Sequence, residues 1–148
     1  MTEAPKTIEE VIKTRGTYMT NTHGASMQPL FKTNRDAVIL SRLDRELKKY
    51  DVVLYRDSSE SVYVLHRIIK IKGDTLIIRG DNTFKKEYVK ADDVIAYMTA
   101  FNRKGKRREI TDLSYRIYSR FWNFIYPLRF VLRKIRAFLG KIKRKIFK

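Results

Sequence analysis

The 148-residue sequence has no cysteine, only two histidines, three prolines and six glycines. Without cysteine there is no disulfide, no thiolate nucleophile and no cysteine-ligated metal. His23 and His66 alone do not make a histidine-built metal centre. No glycine-rich nucleotide fingerprint occurs, so no cofactor is expected. Acidic residues are scarce as well: 33 Lys and Arg face 16 Asp and Glu, for a net charge of +17. That scarcity is local. From Phe101 to Lys148, 16 basic residues meet only Glu109 and Asp112, leaving +14, whereas residues 1–100 hold 17 against 14, leaving +3. A nearly neutral body therefore carries a basic tail, and such a tail seeks a polyanion. Long apolar runs are missing too. No stretch reaches the roughly 18 apolar residues needed to span a bilayer, and the opening Met-Thr-Glu-Ala-Pro carries no run of the secretory type. One folded body over residues 1–110 and a helical tail over 111–148 are expected.

What is present begins with a capping box, Thr7-Ile8-Glu9-Glu10, followed by Ile8, Val11 and Ile12 on one helical face and a stop at Gly16. The segment Thr17 to His23 is polar and without period, and reads as a loop. From Ala37 the pattern turns to β: Ala37–Ser41, Val52–Arg56, Val62–Lys72, Thr75–Arg79 and Asp93–Phe101 are rich in Val, Ile, Leu and Tyr and are divided by turn residues. The expected class is mainly β within α+β, a coiled antiparallel sheet or partial barrel with a short N-terminal helix and C-terminal basic amphipathic helices. After Ile110 the apolar period becomes helical, running from Leu113 through Ile117, Phe121, Leu128, Leu132, Ile135 and Leu139 to Ile146, with Pro127 suiting the first turn of a second helix.

Four short motifs carry the chemistry. Gly24-Ala25-Ser26-Met27-Gln28-Pro29 places a serine between a flexible glycine and a proline, in a turn that can hold the hydroxyl at a fixed angle. Asp51-Val52-Val53-Leu54 and Val64-Leu65-His66-Arg67-Ile68 are strands, and Gly80-Asp81-Asn82 is a turn. On the His66 strand, alternation sets Val64, His66 and Ile68 on one face, so the imidazole sits among apolar side chains that favour its neutral, basic form. The plain alternative is a half-buried strand histidine bonded to backbone. In this order, over residues 20–100, the motifs resemble the S24/S26 serine peptidases, and within them signal peptidases of the histidine type found in the endoplasmic reticulum and archaea.

The resemblance implies that Ser26 is the nucleophile and His66 the general base; His23, three residues before Ser26, is a second candidate that could reach the hydroxyl from the loop. It implies an acidic partner for the histidine, either Asp81 of the turn motif or Glu87 a few residues beyond; the sequence leaves both open. An oxyanion would meet the Ser26 N–H. Many relatives add a hydroxyl two residues before the nucleophile, where this chain has Gly24, and Thr22 is the nearest replacement. The implied substrate is an extended polypeptide, cut as a leader or signal-type precursor. Phe121, Trp122, Phe124, Tyr126, Phe130, Phe138 and Phe147 among the tail's cations fit an anionic membrane surface, so a peripheral position on a cytoplasmic face is expected. The continuous apolar stripe argues against nucleic acid. A LexA-like self-cleaving regulator and a non-catalytic membrane-surface adaptor are the competing readings.

Overall fold

The computed structural model describes residues 7–57, 59 and 62–146; Phe147 and the opening five residues considered above lie outside them. Helix α1 (Ile8–Arg15) starts as its capping box dictates, with the Thr7 hydroxyl accepting from the Glu10 N–H at 3.2 Å, and ends at Gly16 in the left-handed region. The strands follow: β1 (Thr17–Asn21), β2 (Ala37–Ser41), β3 (Val52–Arg56), β4 (Tyr63–Lys72), β5 (Thr75–Arg79), β6 (Glu87–Lys90), β7 (Val94–Arg103) and β8 (Lys106–Glu109). They form one antiparallel sheet in the order β1-β2-β7-β3-β4-β5-β6, with β8 on β7, curled into a half-barrel of the α+β class.

Curling buries both faces of the central strands, and the two-residue period sorts their side chains into two cores. Val52 and Leu54 of β3 join Val38, Leu40, Met98, Phe101 and Met27 on one side, while Val53 and Tyr55 join Ile68, Leu76, Ile78 and Tyr97 on the other. A double-sided burial explains why these strands read as continuous apolar runs rather than as alternation.

Three elements differ from the sequence expectation. Residues 17–21 are not loop but the edge strand β1, paired with β2 from Thr17 opposite Ser41 to Asn21 opposite Ala37. β6 and β8 were not expected. β8 is Lys-Arg-Arg-Glu, with no apolar residue, and it is a strand because the turn at Lys104-Gly105, both at positive φ, folds it onto β7.

Two helices follow, α2 (Leu113–Phe124) and α3 (Tyr126–Ile146), divided at Ile125, two residues before Pro127. The tail does not begin outside the body. Tyr115 is buried in the first core, and Ser119 is buried as well. Trp122, Tyr126 and Phe130, read from the sequence as lipid-facing, instead face the body: Tyr126 and Phe130 pack on Phe84, and the Trp122 indole donates to the Asp81 carbonyl at 2.8 Å. Beyond Phe130 every described residue of α3 except Gly140 is exposed, including Val131, Leu132, Ile135, Phe138 and Leu139. No helix among the described residues is long and apolar enough to cross a membrane.

Candidate active site

The serine turn is closed from both ends by backbone. Thr22 N–H donates to the Asp36 carbonyl at 3.0 Å and Asn34 N–H to the Thr22 carbonyl at 3.1 Å, so residues 22–36 form a pinched loop between β1 and β2. Asp36 is the buried pin, its carboxylate taking the N–H groups of Lys32 at 2.8 Å and Lys104 at 3.1 Å. The Arg35 guanidinium, and then these amides, pull its pKa down to about 2 against the effect of burial. Within the loop, Gly24 adopts φ +75°, and its carbonyl accepts from the Thr33 hydroxyl at 2.6 Å. The Thr22 hydroxyl is committed elsewhere, to the carbonyls of Asp36 at 3.1 Å and Lys32 at 3.3 Å. The N–H groups of Ser26 and Met27 take no partner among the described residues.

Gly80-Asp81-Asn82 locks onto this turn. Asn82 N–H donates to the Ser26 carbonyl at 2.7 Å, and the Asn82 side-chain amide donates to the Ala25 carbonyl at 3.1 Å. Gly80 is a residue without a side chain for a local reason. A Cβ there would stand 2.6 Å from the Ser26 carbonyl oxygen and 3.0 Å from His66 Nε2. One point thus touches both the serine turn and the imidazole, with Nε2 as the nearer ring nitrogen.

His66 is buried on β4, opposite Val53 of β3. Its other nitrogen, Nδ1, lies 2.8 Å from Glu87 Oε2. The same carboxylate oxygen accepts from the Tyr55 hydroxyl at 2.5 Å. Burial, and then Glu87 itself, push the Tyr55 pKa up, so the phenol stays protonated and donates. A carboxylate can only accept, so the contact with Glu87 calls for an N–H at Nδ1, and in the neutral tautomer that makes it Nε2, beside Gly80, is the acceptor. Among the described residues no hydrogen bond joins the Ser26 hydroxyl to Nε2; in ligand-free sites, bonds between reacting groups are often open and tighten only with substrate.

Ser26, His66 and Glu87 line one cleft of about 1000 Å³, walled by Phe31, Val38, Leu54 and Leu65. His23 is exposed on its rim. Asp81 is not in it. Because β4 alternates, Arg67 points away from His66, and the Asp81 carboxylate follows it: Arg67 Nε and Nη2 donate to its two oxygens at 2.8 Å each, and the Tyr118 hydroxyl donates at 2.9 Å. Burial works against the charge on Arg67, and Asp81 with the Tyr115 hydroxyl outweighs it. The structure therefore sets Glu87 on the histidine and Asp81 on the arginine. Sequence reasoning did not find Tyr55, whose hydroxyl is hidden within an apolar strand. No group of three or more acidic or histidine side chains that could hold a metal gathers among the described residues. In comparison with known proteins, the chain matches no family model and no curated sequence.

Proposed function

We propose that this chain is a serine endopeptidase acting on an extended polypeptide, with Ser26 as nucleophile and His66 as its base. The observation that carries the reading is the imidazole itself, held by Glu87 at Nδ1 and set at Nε2 beside Gly80, whose other neighbour is the Ser26 carbonyl, in a cleft that Ser26, His66 and Glu87 all line. The reaction requires the Ser26 hydroxyl to reach Nε2 once substrate is bound. The imidazole takes the proton as Oγ attacks the scissile carbonyl, and the N–H groups of Ser26 and Met27, without partners among the described residues, are the candidate donors to the oxyanion. His66, now an imidazolium stabilised by Glu87, returns the proton to the leaving amine; water then releases the acyl group by the same route. Among the described residues β1 is the end strand of the sheet, beside the serine loop, and its outer edge offers backbone groups to a substrate strand.

A fluorophosphonate probe is expected to label the wild-type chain at Ser26 and to leave Ser26→Ala unlabelled. Equal labelling of the two proteins would remove the nucleophile from this proposal.

The second part of the proposal is a membrane-surface position, supported by the exposed arm of α3. From Arg133 to Lys145 it carries seven cations and no acid. Helices of about 12–15 residues are marginal in water, and like charges four apart, such as Lys141 and Lys145, weaken them further. An apolar, anionic surface supplies both missing terms, with each Lys or Arg adding about 1 kcal/mol near an anionic leaflet. A chain ending at Lys134 keeps α2 and Arg129, which belong to the body, and loses most of the arm. It is expected to float with phosphatidylglycerol vesicles at least about tenfold less than the full chain. Equal flotation would eliminate the arm as the anchor. The substrate class this implies is a leader-type precursor cut close to that surface.

A further inference from the structure

The register of β4 and β5 sets Arg67 directly opposite Arg79. Residues so paired share a face, and two like charges there repel. Both are buried, Arg79 with only 5% of its surface exposed. The carboxylate that serves this pair, Asp81, gives both oxygens to Arg67. Arg79 is left with neutral partners. Its Nη2 donates to Asn123 Oδ1 at 2.9 Å, and its guanidinium lies 3.4 Å from the centre of the Tyr126 ring. Burial pulls its pKa down even with Tyr126 and Asp81 opposing. A buried cation without an opposite charge of its own is a costly arrangement.

A cavity of about 330 Å³ opens onto this arginine. Lys49 and Lys86 also line it, no carboxylate does, and Phe124, 82% exposed, forms a lip at the α2–α3 elbow. We propose that the cavity binds a phosphate group, with Arg79 as the buried anchor and Lys49 and Lys86 as the outer cations. Three convergent positive groups suit the charge of a phosphate, and the planar guanidinium fork matches two of its oxygens. The phosphate comes either from a lipid headgroup or from solution. The exposed phenylalanine and the adjoining arm favour the headgroup. Only that choice of source rests on the membrane reading, and nothing here rests on the peptidase reading.

The test uses the full-length, nitrogen-labelled chain, titrated with inorganic phosphate at constant ionic strength with chloride as the reference. Saturable shifts are expected at Arg79 Nε–H and at the Asn123 side-chain amide with phosphate and not with chloride. Lys49→Gln together with Lys86→Gln, both exposed and therefore neutral to folding, is expected to weaken this binding roughly tenfold. Flotation with phosphatidylcholine vesicles, with and without phosphatidylglycerol, separates the sources. A parallel fall for the double variant on the anionic vesicles supports the headgroup; a fall in the phosphate titration alone supports the same site filled from solution. Identical shifts with chloride, or unchanged phosphate affinity in the double variant, would overturn the proposal.

Discussion

Asp81→Ala is expected to lose about 3–5 kcal/mol of stability, a large fraction of what a single domain possesses. The loss is not the worth of an ion pair, because a paired charge that leaves water gains little over an apolar pair of the same shape. It comes from what remains: a fully buried Arg67 whose Nε and Nη2 have lost their acceptors, and a Tyr118 hydroxyl without its partner. Urea unfolding of the variant and the wild type, compared at unchanged slope, measures the difference. Replacing both members, with Arg67→Met and Asp81→Leu, is expected to restore much of it. A single variant within about 1 kcal/mol of wild type, the range of a solvent-exposed pair, would mean that the turn is held by its carbonyl contacts instead.

Gly80→Ala addresses the proposed chemistry by a purely steric route. The added methyl group would stand 2.6 Å from a backbone oxygen, that of Ser26, and 3.0 Å from His66 Nε2. The backbone oxygen has no rotamer by which to yield, so one of the two turns must move, and the 2.7 Å bond from Asn82 N–H to Ser26 goes with it. A misplacement of about 1 Å between reacting groups costs about 10²-fold in rate. A loss of that size or more is expected in kcat/KM for a peptide substrate, with fluorophosphonate labelling slowed in parallel and the circular dichroism of the sheet retained. Labelling at the wild-type rate would show that Ser26 and His66 do not act through this contact.

The strands that fill the two cores were legible because burial on both faces leaves a continuous apolar run, as in Val52 to Tyr55. β1, β6 and β8 were not, since they are short edge segments whose identity lies in the neighbour they pair with rather than in their own residues. The site divides in the same way. Ser26 and His66 sit in motifs that a turn and an alternating strand make readable. The choice between Asp81 and Glu87 depends on the pairing of Ile78 with Glu87 across β5 and β6, and on the alternation that turns Arg67 away from His66. The former is a relation between distant segments. The role of α2 was hidden for a related reason: its period announces an amphipathic helix, but not that Tyr115 enters the core while Leu113, Ile117 and Phe121 stay outside.

The Asp81 carbonyl accepts two donors from different helices, Trp122 Nε1 at 2.8 Å and Arg129 Nη2 at 2.9 Å, and so uses both of its lone pairs. That one oxygen joins both helices to the turn, one residue from the amide that donates to the Ser26 carbonyl. A displacement of either helix at the elbow therefore pulls on the peptide unit whose N–H holds the Ser26 carbonyl.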